Sequence, residues 1–117
     1  MLDKNKILMH LEEKRKSYAK RAHKCKIDGN ISMLCDYENR SNEMADLIIH
    51  ITKLDSLDQA KIVKYLEQRK KRYQQKREEC RVNKDRANEI SWEVMTFPLN
   101  NLIKHITIGD FNVETTK

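Results

Sequence analysis

The sequence predicts an all-α chain: a tandem duplication of an antiparallel helical hairpin of about 55 residues, forming an up-down-up-down four-helix bundle. Residues 2–55 and 57–110 align without a gap at an offset of 55, with sixteen of 54 positions identical. The 117 residues are 36% charged and 38% hydrophobic, and two glycines and one proline are too few turn formers for a loop-rich or all-β fold. Apolar residues recur at helical spacing in both halves.

The repeat is clearest at its two edges. Lys6-Ile7-Leu8-Met9-His10-Leu11-Glu12 lies over Lys61-Ile62-Val63-Lys64-Tyr65-Leu66-Glu67. Leu47-Ile48-Ile49-His50-Ile51-Thr52 lies over Leu102-Ile103-Lys104-His105-Ile106-Thr107. Between them Tyr18, Cys25 and Glu38 meet Tyr73, Cys80 and Glu93. Two unrelated Lys-rich helices do not readily share a Tyr, a Cys and a Leu-Ile-x-His-Ile-Thr ending in one register. Two helices of about 22 residues with a turn fill such a unit, each about 33 Å long.

The first helix is expected to start near Asp3 as N-cap. Ile7, Leu11, Tyr18, Ala22 and Cys25 then form one narrow apolar stripe, repeated by Ile62, Leu66, Tyr73 and Cys80. Asp28-Gly29-Asn30 reads as the turn, and Asn83-Lys84-Asp85 as its counterpart. The second helix presents Leu34, Tyr37, Ser41, Met44, Ala45, Ile48 and Ile51, and the fourth Trp92, Thr96, Leu99, Ile103 and Ile106. Pro98 predicts a kink or break around Val94–Phe97, because it lacks an N–H and crowds the preceding turn. Gly109 is expected to cap that helix, with 111–117 a flexible tail. Thr52–Gln59 contains neither Gly nor Pro, so a continuous second-to-third helix is conceivable. Ser56-x-x-Gln59 as a capping box, and Asp58 aligned with Asp3, favour a short break. The whole reads as a single helical domain, 1–117.

Charge follows the repeat. The net charge is +6, but residues 2–26 carry nine basic and three acidic side chains and residues 59–86 eleven and four, while 27–58 carry two and seven and 87–117 two and four. Basic first and third helices suggest nucleic-acid binding through Lys14, Arg15, Lys16 and Lys20 with Arg69, Lys70, Lys71, Arg72, Lys76 and Arg77. Internal complementarity is the other account, since a bundle would set each basic helix beside an acidic one. On that account Arg21–Glu38 and Lys76–Glu93 clip the two hairpins, each pair worth about 0–1 kcal/mol if exposed.

No apolar run approaches the ~20 residues needed to span a bilayer. The N-terminus has no signal-peptide pattern. Three cysteines, Cys25, Cys35 and Cys80, are an odd number for a disulfide framework. A cytoplasmic protein is therefore expected, and the many Lys, Asn and Ile codons fit a low-GC bacterium, its mobile elements or a phage. In the bundle, Cys25, Cys35, Cys80 and His23 would gather at one end and His10, His50 and His105 at the other, but no CxxC or HxxxH spacing supports a metal site. No phosphate loop or nucleophile–base spacing is present, so neither enzyme activity nor a cofactor is expected. Binding of a protein partner as adaptor, inhibitor or regulator is the leading expectation, with nucleic-acid binding second and a self-associating homodimer third. The candidate partner surface is Val94, Met95, Phe97 and Pro98, where the second copy departs from the first.

Overall fold

A computed structural model describes residues 2–55 and 57–113. It contains four helices, α1 (Lys4–Asp28), α2 (Ile31–Thr52), α3 (Gln59–Val82) and α4 (Arg86–Thr107). α1 packs against α2 and α3 against α4. Shifting α2 by 55 residues reproduces the bounds of α4, so the repeat in sequence is a repeat in structure. The chain divides into two compact units: 4–56, and 57–117 with residues 1–3.

The turns show why the register is shared. In the first hairpin Gly29 takes a left-handed φ of 75°, its N–H donates to Lys26 O, and Asn30 N donates back to Cys25 O at 2.9 Å. This Schellman-type closure satisfies carbonyls that the helix end leaves open. In the second hairpin Lys84 takes the same place at φ 58°, and Asp85 N donates to Cys80 O at 2.8 Å. The next residue caps the following helix in both copies: Asn30 accepts from Met33 N, and Asp85 from Asn88 N. α4 closes likewise at Gly109, φ 89°, with Asp110 N donating to His105 O at 3.1 Å.

Lys84 pays for a conformation that glycine adopts freely, so Lys84→Gly is expected to raise stability by about 0.5–1 kcal/mol. Gly29→Ala, with open space around the added Cβ, is expected to lower it by about 1 kcal/mol through backbone strain alone. Chemical denaturation of both variants checks the pair.

Helices α2 and α3 are not continuous. α2 ends at Thr52, and Asp58 caps α3 by accepting from Lys61 N at 3.2 Å. The capping-box Ser56 lies outside the described residues. Lys4 Nζ reaches back to Thr52 O and Leu54 O at 2.9 and 2.7 Å, which closes the open end of the first hairpin.

Core residues concentrate toward that open end. Ile7, Leu11, Met44, Leu47 and Ile51 are buried in the first unit, and Ile62, Leu66, Leu99, Leu102 and Ile106 in the second. Leu47 and Leu102 were not among the expected core faces, whereas Leu34, Tyr37, Cys25, Tyr73 and Cys80 are only half-buried. In α1 the buried Ile7, Leu11, Tyr18 and Ala22 keep the expected stripe, whereas in α2 and α4 the buried face is turned toward Leu47 and Leu102. Midway along each hairpin an aromatic pair sits at matching positions: Tyr18 with Tyr37 at 6.5 Å, and Tyr73 with Trp92 at 5.7 Å.

At Pro98 the structure excludes one of the two expected outcomes, and two further expectations need correction. α4 runs through Pro98 as one helix, with no break at Val94–Phe97. Pro98 is buried, so its packing offsets the donor it lacks. The start of the supposed loose tail is held: Phe111 is buried, Asp3 N donates to Phe111 O at 2.6 Å, and Leu2 bridges Asn112. Residues 114–117 lie outside the described residues. The charge clips also differ, since Glu93 pairs with Arg77 at 3.8 Å rather than with Lys76, and Arg21 lies over the Tyr37 ring at 5.9 Å.

Candidate functional site

The expected partner surface on α4 does not hold together as one patch. Phe97 is 51% exposed, and Val94 is half-buried on the same side of the helix. Met95 is half-buried and lies about 100° further round the helix than Val94. Pro98 is buried and unavailable. The residue that completes the exposed face is Ile90, 42% exposed and overlooked in the sequence. Ile90, Val94 and Phe97 stand at i, i+4 and i+7, within about 60° of arc and about 10.5 Å along the helix. That spacing was the available signal. The corresponding residues of α2 are Cys35, Asn39 and Asn42, all exposed, so the first copy presents a polar version of the face. Arg86, which pairs with Glu89 at 3.4 Å, and Lys104 lie at its two ends.

The cations of α1 and α3 divide into engaged and exposed sets. Arg15 pairs with Glu12, whose carboxyl its guanidinium holds below the usual carboxylate range. Arg69 donates to Tyr65 Oη at 3.1 Å, Lys70 pairs with Glu67 at 3.0 Å, and Arg77 with Glu93. Lys14 is half-buried. Of the sequence candidates, Lys16, Lys20, Lys71, Arg72 and Lys76 stay exposed, and Lys61 and Lys64 join them although the sequence reading passed over both. They were missed because they fall outside the dense Arg69–Arg72 run, yet helical geometry returns them to the same face.

The copies differ between their helices as well. A groove of about 270 Å³ opens between α1 and α2, lined by Ala19, Ala22, His23, Leu34 and Glu38 among others. Gln74 and Arg77 stand where the first copy has Ala19 and Ala22. The Arg77–Glu93 pair crosses that space in the second hairpin.

Among the described residues, no three His, Cys, Asp or Glu side chains converge as a metal site. Burial, reinforced by Asp85 and Glu79, pushes the Cys80 thiol up and disfavours its thiolate. No described helix is long and apolar enough to cross a membrane. No protein-family model, no curated protein and no solved structure matches the chain.

Proposed function

We propose that this is a non-enzymatic cytoplasmic protein that binds a helical segment of a protein partner along α4, as an adaptor, inhibitor or regulator. The observation that carries it is the apolar row Ile90–Val94–Phe97, exposed at both ends and half-buried at Val94, where α2 has Cys35, Asn39 and Asn42. An amphipathic helix laid along such a row buries matching i, i+4 and i+7 anchors. The surrounding scaffold is shared by the two copies, so the apolar row is a feature of the second copy rather than a requirement of the hairpin.

Affinity capture from a bacterial lysate treated with nuclease tests this, comparing wild type with the variant Val94→Asn/Phe97→Asn, which restores the first copy's residues. Retention of a protein by wild type alone, with equal helicity in both, supports the reading. Equal retention by both removes α4 as the surface. A second reading, binding of nucleic acid through the basic helices, is favoured by the exposed cations of α3.

A further inference from the structure

We infer that the solvent face of α3, and not that of α1, is a contact surface for the phosphate backbone of duplex nucleic acid. The inference deepens the second reading above and rests on it.

Lys61, Lys64, Gln68, Lys71, Arg72, Gln75 and Lys76 are all exposed. At 100° per residue they fall within about 140° of the α3 surface, and Lys61 to Lys76 span about 22 Å. Five of the seven are cations. Among the described residues, no ion pair engages any of these five. The one acid within this stretch, Glu67, lies off the row and pairs with Lys70. The acids that bound the row are Asp58, the N-cap of α3, and Glu78 and Glu79 near its end.

The matching face of α1 is different. Its exposed positions include Met9 and Glu13 beside Lys16, Lys20 and Lys24, so an acid and an apolar side chain interrupt it. Three of the five cations have cationic counterparts, Lys61 in Lys6, Lys71 in Lys16 and Lys76 in Arg21. The second copy alone adds Lys64 and Arg72, where the first has Met9 and Ser17, and replaces the acid Glu13 by Gln68.

The row selects its ligand by what it contains. Lysine and arginine side chains along a straight helix neutralise phosphates and release their counterions. Single-stranded binders add aromatic platforms on which bases stack. No exposed ring stands on this face: Tyr65, within its arc, is half-buried with its hydroxyl accepting from Arg69, and Tyr73 is half-buried and stacked on Trp92. Duplex backbone, read without sequence preference, is the chemistry that fits.

Titration of the full chain with a fluorescent random-sequence DNA duplex across a salt series tests the assignment. Five phosphate contacts give a slope of log K against log salt near −4.5, and about a 500-fold loss between 50 and 200 mM salt. The variant Lys64→Gln/Lys71→Gln/Arg72→Gln changes only exposed side chains and is expected to reduce the slope to about −2. The variant Lys16→Gln/Lys20→Gln/Lys24→Gln removes the same charge from α1 and is expected to bind within about twofold of wild type. Equal weakening by both variants, or binding that survives the α3 changes, overturns the α3 assignment while leaving the nucleic-acid reading standing. Absence of duplex binding at 50 mM salt overturns both. Tighter binding to single strands, or to vesicles of anionic phospholipid, with loss in the α3 variant, reassigns the face and overturns the duplex inference.

Discussion

Leu11→Ala and Leu66→Ala are each expected to destabilise the protein by about 3 kcal/mol, and by similar amounts. Both side chains are fully buried, and they occupy the same position of the two copies. Truncating a buried leucine loses its transfer free energy and leaves a cavity that the neighbours only partly fill, which costs about 2–5 kcal/mol. Against a total stability of about 5–15 kcal/mol, such a loss is readily measured. Urea denaturation followed by far-UV circular dichroism gives the comparison. A cost below about 1 kcal/mol at either site would place that leucine outside the core. A large disparity between them would show that the two hairpins pack differently.

Phe97→Asp is expected to weaken partner binding at least about 30-fold, a loss of about 2 kcal/mol, while leaving helicity and melting temperature nearly unchanged. Aromatic side chains supply large contact area at low entropic cost, and a carboxylate in the middle of an apolar row would be buried without a partner. Phe97 is half-exposed, so the fold does not depend on its full burial. Met95→Gln, off the row, is the control and is expected to change affinity less than about threefold. Loss of helicity in Phe97→Asp would assign the ring to the core. Loss of binding in Met95→Gln instead would move the surface to another side of α4.

The repeat and the turns were legible because they depend on local residue chemistry. Gly29, Asn30, Asp58 and Asp85 announce turns and caps by their own side chains or lack of one, and the structure uses each accordingly. Lys84 showed the limit of that reading: a residue ill suited to a left-handed φ adopts it because Asp85 caps α4 and the Cys80 carbonyl is satisfied across the turn. Tertiary packing was less legible. Leu47 and Leu102 are fully or almost fully buried but sit off the stripe drawn through the other apolar residues. Pro98 suggested a kink or break by local rules; α4 continues through it without a break and buries it. The proposed partner surface was half legible. Contrast between the copies pointed to Val94 and Phe97, but only exposure separates them from Pro98 and adds Ile90. The charge clusters were visible as composition. Which cations are engaged depends on rotamers and near neighbours, such as the Glu12 that holds Arg15.

The claim beneath all of this is that one hairpin was used twice and folds the same way both times. Residue-resolved amide hydrogen exchange tests it most directly. The protection profile of residues 4–52 is expected to overlay that of 59–107 when shifted by 55. The slowest amides should fall at Leu11, Leu47 and Ile51 and again at Leu66, Leu102 and Ile106, with rapid exchange across the Lys53–Asp55 segment between the hairpins. Strong protection running unbroken from Ile51 to Ile62, or a slow set in one half with no counterpart in the other, would contradict it.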